Sequence, residues 1–211
     1  MACSPLVQRQ GAAVLDLIRK KLRGSSPPAS TASFEQLVTV HYARLYEIAF
    51  LLRNDGDEAA DLLQETLLRA FRAFHRFRPD EPIMPWLVTI LRNLNRDDMR
   101  SARRRREIPA GRETEELLLE VAEEGGDAQR QLELAELAGQ LAGLLRELPE
   151  YYSLPLLLVD LQEQSYEDAA AALQIPIGTL RSRLSRGRGL LRRMLFEDRE
   201  LRQLLPRTTG E

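Results

Sequence analysis

Apolar residues along this chain recur at helical spacing, and no segment alternates in the two-residue rhythm of a strand. From Phe34 to Leu52 the positions Phe34, Leu37, Val38, His41, Leu45, Ile48, Ala49 and Leu52 trace one helical stripe, with Ser33 as its N-cap. His41 lies on that stripe and reads as a core or boundary residue. Asn54-Asp55-Gly56 is a turn, and a second helix over about Asp57 to Phe77 follows. It sets Leu63, Leu67, Ala70, Phe71 and Phe74 against Asp61, Glu65, Arg69, Arg72 and Arg76, with Glu65 and Arg69 at the favourable i,i+4 offset. Three prolines between Arg78 and Pro85 predict a loop. Trp86 then opens a third helix, with Leu87, Ile90, Leu91 and Leu94 inward and Arg92, Asn93, Arg96, Arg100 and Arg103 outward.

The second half repeats the rhythm. Gln129 to Leu148 keeps Leu134, Leu137, Ala138, Leu141, Leu145 and Leu148 in register. Pro149 and Pro155 bracket a Tyr-Tyr stretch, and Pro155 should kink its helix or delay the start. From Ser165 the chain reads SYEDAAAALQ, IPIG, TLRSRLSRGRGLLRRML: a short capped helix, a turn holding Pro176 and Gly178, and a second helix. That is the grammar of a helix-turn-helix. In the last helix Leu180, Leu184, Leu191 and Leu195 form the apolar stripe, and Arg181, Ser182, Ser185, Arg186, Gly189, Arg192 and Arg193 fall opposite. Gly187 and Gly189 each cost that helix roughly 1 kcal/mol relative to Ala.

Charge sharpens this picture. The formal net charge is −2, with 30 basic and 32 acidic residues, which argues against a globally basic nucleic-acid binder. The signs are segregated, however. Arg100 to Arg106 holds five arginines, Glu107 to Asp127 holds eight acids against Arg112 alone, and Pro176 to Phe196 holds six arginines and no acid. A solvated face usually mixes both signs, so the last helix looks built for an anion, and duplex phosphate with guanine edges suits it. Asn and Arg on the polar face of the Trp-led helix offer donors for phosphates and exposed base edges.

Other chemistries find little support. His41 and His75 are the only histidines and Cys3 the only cysteine, so no metal site, cofactor site or nucleophile constellation assembles; no Gly-rich phosphate loop exists, and an enzyme is not expected. Asp97-Asp98 is no metal pair, since neighbours on a helix point about 100° apart; Asp98 is expected near the interior or an interface. Nowhere do 18 uncharged apolar residues run together and residues 1–23 lack a signal-peptide core, which predicts a cytoplasmic protein without membrane insertion. AAVLDLIRKKLR at 12–23 is a short basic amphipathic helix or a tail, set apart by a Gly/Ser/Pro linker.

The order of parts resembles the extracytoplasmic-function (ECF) sigma factors of bacterial RNA polymerase, over about Phe34 to Leu195. Ser165-Tyr-Glu-Asp-Ala-Ala170 and Ile175-Pro-Ile-Gly-Thr-Leu-Arg-Ser-Arg-Leu-Ser-Arg-Gly-Arg188 match the pattern of sigma region 4, and Asp61-Leu-Leu-Gln-Glu65 that of region 2. The resemblance implies an all-α fold of two small helical domains joined by a flexible linker: an extension at 1–33, region 2 at 34–106, an acidic linker at 107–127, region 4 at 128–196 and a tail at 197–211. It implies that Asp61, Gln64, Glu65, Leu68 and Arg69 bind the clamp helices of the polymerase largest subunit, with the flap as a second contact. Phe77, Arg92, Asn93, Arg96 and Arg100 would serve the minus-ten element, and Thr179, Arg181, Ser182, Ser185 and Arg186 the minus-thirty-five element. The implied partners are core polymerase, promoter DNA and an anti-sigma factor.

This chain departs from the family pattern at Ala60, where an acid is common, and at Tyr151, Tyr152 and Pro155. Modification of Thr66 near that charge-poor segment is one conceivable gate, and an anti-sigma factor wedged between the modules another. Two rival readings stay open: a stand-alone helix-turn-helix regulator, which leaves the Trp helix, proline loop and DLLQE segment unexplained, and a sigma-like decoy for an anti-sigma factor.

Overall fold

The computed structural model describes residues 30–78, 80–105 and 139–197, with side chains from Phe34 to Ser101 and from 139 onward. Among these residues every regular element is helical, as expected of an all-α chain. The N-terminal module comprises α1 (Ser30–Arg53), α2 (Gly56–Ala73), a short 3₁₀ turn (Phe74–Arg76) and α3 (Ile83–Arg105). The C-terminal module comprises α4 (139–147), α5 (Glu150–Leu156) running into a π-helical stretch (Leu157–Leu161), α6 (Tyr166–Leu173) and α7 (Ile177–Glu197).

In the first module Phe34, Val38, Tyr42, Leu45, Ile48 and Ala49 bury one stripe of α1 against α2 and α3. Leu37 of the expected stripe is 37% exposed, and Ser33 lies within the first turn because the helix starts earlier, at Ser30. His41 is half-buried, and burial followed by the charge of Arg44 pushes its pKa down. Asn54 takes a left-handed conformation that turns the chain, and the Asp55 carboxylate then caps α2 by accepting from the Glu58 amide at 2.9 Å. Aromatic rings close the far end. Phe34 meets Phe71 and Phe74 edge-on at 5.4 and 5.1 Å, Phe77 stacks on Phe74 at 5.7 Å, and Trp86 lies 5.3 Å beyond Phe77.

Helix α3 begins at Ile83 rather than Trp86. Pro85 sits in its first turn, where the amide that proline lacks has no intrahelical partner to lose. In α5 Pro155 lies inside the helix and buried, and the chain answers by widening into the π stretch that immediately follows. The acidic segment 107–127 and the part of the expected helix before residue 139 lie outside the described residues.

The two modules pack on one another. Helix α3 lies against α6, and α1 also touches α5. No helix among the described residues is long and apolar enough to cross a membrane.

Candidate nucleic-acid interface

Local chemistry builds the helix-turn-helix. Ser165 Oγ accepts the Asp168 amide at 3.0 Å to start α6, with Glu167 and Asp168 in the first turn, where acids offset the positive end of the helix dipole. The turn pivots on Gln174, whose φ of 54° is left-handed, whereas Gly178 already belongs to α7. Gln174 donates to Ala171 O and Ile175 to Ala170 O, both at 3.1 Å, the paired bonds of a Schellman ending. Helix α7 then buries Leu180, Leu184 and Gly187, while Arg181, Ser182, Ser185, Arg186, Gly189, Arg192 and Arg193 are exposed together on the far side. Ser182 Oγ donates to Thr179 O at 2.9 Å, and Thr179 itself is half-buried.

The six arginines of α7 are not equivalent. Arg188 forks onto Asp160 with Nε–Oδ2 and Nη2–Oδ1 distances of 2.9 and 2.6 Å, and these bonds, then one to Tyr166, hold its pKa above the ordinary guanidinium value. Arg183 lies over the Tyr151 ring, 5.9 Å from its centroid. Both therefore serve the module's own architecture. Sequence reasoning missed these pairs because Asp160 and Tyr151 stand about thirty residues upstream, beyond any helical spacing rule. Gly187 is a packing residue: a Cβ there would come within 3.1 Å of Leu156 Cδ1, so α5 approaches α7 at that point closely.

On α3, Asn93, Arg96 and Arg100 are exposed, as the periodicity predicts. Arg92 is a correction. Instead of facing outward it is buried, and its Nη1 donates to the carbonyls of Leu173 at 2.8 Å and Ala172 at 3.3 Å, with Glu150 3.7 Å from Nε. The periodic reading failed because that side of α3 is covered by the second module, which no local pattern encodes. Asp98 is exposed rather than interior, and binds Arg53 of α1 at 2.6 Å. Arg103 lies outside the described side chains. Phe77 is half-buried between Phe74 and Trp86 and lines an apolar groove of about 910 Å³ with Leu37, Val40 and Met84.

On α2, Asp61 and Arg69 are exposed, Gln64 and Glu65 half-buried, and the Glu65–Arg69 pair forms at 3.1 Å. Leu68 is a second correction: it is 3% exposed and belongs to the core. Thr66 is likewise fully buried, its hydroxyl donating to Leu62 O at 2.7 Å, so its modification would require unfolding the helix. Among the described residues no group of three His, Cys, Asp or Glu side chains could hold a metal ion.

Family models place these modules. Residues 37–105 match Sigma-70 region 2 and residues 138–191 match Sigma-70, region 4. The chain is 37% identical to the ECF RNA polymerase sigma factor EcfG of Rhodopseudomonas palustris over 73% of this chain and 80% of that one. It is also 37% identical to the ECF RNA polymerase sigma factor SigC of Mycobacterium tuberculosis, over 68% and 72% respectively. Among solved structures, the sigma factor RpoE in complex with the anti-sigma factor NepR from Bartonella quintana superposes with a TM-score of 0.62 and 29% identity, covering 79% of this chain and 99% of that one. With both regions present in order and these relatives matched over most of their length, the chain belongs to the ECF sigma factors.

Proposed function

We propose that this chain acts as a promoter-specificity subunit in the cytoplasm, without catalysis of its own, binding core RNA polymerase and reading a promoter at two elements. Residues 34–106 form the unit that binds core and opens the minus-ten element; residues 128–196 form the unit that reads the minus-thirty-five element as duplex. The observation that carries this reading is α7, where one face is fixed by Leu180, Leu184 and Gly187 while Arg181, Ser182, Ser185 and Arg186 share the exposed face. Guanidinium forks at that position reach guanine edges and the serines reach phosphates. Asn93, Arg96 and Arg100 supply donors for the displaced strand, beside Phe77 and Trp86. The exposed side of α2, with Asp61 and Arg69 flanked by Gln64 and Glu65, is the core-binding face.

A stand-alone regulator would need no α2 and α3 of this kind, and the match to region 2 together with the sigma-factor relatives favours neither it nor a decoy. The solved relative is held by an anti-sigma factor, and such a partner is the expected external gate here. A pull-down with purified bacterial core polymerase, followed by run-off transcription on a promoter library, tests the reading. Stable core binding with selective initiation is the expected result; DNA binding by residues 128–211 without core binding would replace it with a stand-alone regulator.

A further inference from the structure

Helix α1 is apolar on two sides. One stripe fills the core, but Leu37 and Val40 stand outside it, and Val40 is 76% exposed. Both line the groove of about 910 Å³ that Phe77, Pro82 and Met84 help to close from the other side. A single bare valine on a surface is ordinary; one in the wall of an apolar groove of this size marks a docking surface. The wall does not repel a basic occupant. Burial and then the charge of Arg44 push the pKa of His41 down, which keeps that lining imidazole neutral at pH 7. Glu81 also lines the groove, with Asp80 next to it in the chain, and the exposed pair that Glu81 makes with Arg78 at 3.5 Å is a weak one.

The chain carries an occupant of matching chemistry. Residues 12–23, AAVLDLIRKKLR, lie outside the described residues. As a helix they set Val14, Leu15, Ile18 and Leu22 within about 100° of arc, the anchor spacing of a helix laid in a groove. Arg19 and Lys21 border that arc, whereas Lys20 and Arg23 fall away from it. Reach is sufficient. Eight peptide steps from Leu22 to Ser30, where α1 begins, span at most about 28 Å, and the groove residues of α1 lie about 9–17 Å along the helix from Ser30. Gly24, Pro27 and Pro28 suit a reversal of direction between the two. An antiparallel return then brings Asp16, not the lysines, toward Arg44, one turn beyond His41. A tether this short holds its occupant at roughly millimolar effective concentration, an advantage no free partner has.

We infer that the groove between α1 and the proline loop is the seat of the chain's own N-terminal helix, residues 12–23, which packs Val14, Leu15, Ile18 and Leu22 over Leu37 and Val40. The inference stands apart from the promoter-reading function proposed above. It adds one helix to the first module and braces the proline loop, which supplies Glu81 and Pro82 to the seat, against α1.

Lys20 and Lys21 are the only lysines of the chain, so carbodiimide coupling of the full-length protein probes this segment specifically. Lys21 should couple to Asp80 or Glu81 in preference to Lys20, and within one molecule, as read by mass spectrometry on an equal mixture of unlabelled and heavy-isotope protein. Val40→Arg, at an exposed position, and independently Ile18→Asp should each lower that yield at least fivefold. Lysines coupled mainly to the acids of 107–127, undiminished by either substitution, would overturn the seat. A second readout is independent of the lysines. Val40→Cys in a Cys3→Ser background should react with a maleimide at least threefold faster once Ile18→Asp is added. An unchanged rate would overturn the proposal. So would acceleration by Leu204→Asp instead, which assigns the groove to the C-terminal tail, or a rate that falls with rising protein concentration, which assigns it to a second copy. Circular dichroism of each variant separates release of the segment from misfolding.

Discussion

Helices α3 and α7 are both arginine-rich amphipathic helices, and the fold treats their arginines in opposite ways. On α7 Arg183 and the exposed Arg188 are paired within their own module, with Tyr151 and Asp160. On α3 the arginine drawn inward, Arg92, binds the neighbouring module. The difference teaches that an arginine's position on a helical wheel sets its direction, while the element that happens to cover that direction sets its role. With the modules packed, Arg181, Arg186, Arg192 and Arg193 of α7 stay exposed, whereas Arg92 of α3 does not.

The largest expected effects come from the buried stripes that hold each helix. Leu184→Ala on α7 and Leu91→Ala on α3 should each cost about 2–5 kcal/mol, since both side chains are almost wholly buried and their neighbours are helices that cannot collapse freely. Calorimetry sharpens the comparison. If α7 depends only on its own module, Leu184→Ala should lower one transition and spare the other; a single shared transition would mean the inter-module contacts dominate both.

Next come the ligand-facing arginines. Arg181→Ala or Arg186→Ala should weaken binding to the upstream element by about 1–3 kcal/mol and relax base preference there, while leaving core binding intact. Arg188→Ala, whose fork is committed to Asp160, should leave base preference unchanged. Equal loss of discrimination in all three, read by competition binding on mutated promoters, would erase the distinction between the Asp160-bound arginine of α7 and the two outward ones.

On α3 the counterpart is Asn93→Ala. Loss of roughly 0.5–1.5 kcal/mol, the range for one neutral hydrogen bond, should appear in open-complex formation on duplex promoters and disappear on templates with a premelted bubble. Equal impairment on both templates would move Asn93 from strand opening to plain backbone contact.

Much of this molecule is legible locally. The stripes of α1, α2 and α7, the cap at Ser165, the turn after Arg53 and the disturbance at Pro155 follow from periodicity and from the chemistry of single residues. What escaped is contact between elements distant in sequence. Nothing near Arg92 announces two spare carbonyls eighty residues away, and nothing near Leu68 separates a buried leucine from an exposed docking one, because α2 is covered on more than one side. Pro176 and Gly178 mark the turn in the sequence, but the residue that takes the left-handed conformation is Gln174, within a Schellman ending that also frees the carbonyls Arg92 takes.

The smallest effect separates two glycines of α7 that sequence reasoning treats alike. At Gly189 an added Cβ meets nothing within 4 Å, so Gly189→Ala should gain about 0.5–1 kcal/mol through helix propensity and a less flexible unfolded chain. At Gly187 the same methyl meets Leu156 Cδ1 at 3.1 Å, with Leu156 Cγ and Tyr152 Cβ both at 3.4 Å. Leu156 belongs to the short helix stiffened by Pro155 and is itself buried, so it has little room to yield. Propensity and crowding then oppose one another, and Gly187→Ala should show no gain in denaturant midpoint where Gly189→Ala does. Equal stabilisation by both would mean that α5 gives way. Part of what fixes the orientation of α7, and with it the exposed arginine face, would then be softer than the contact between Gly187 and Leu156 implies.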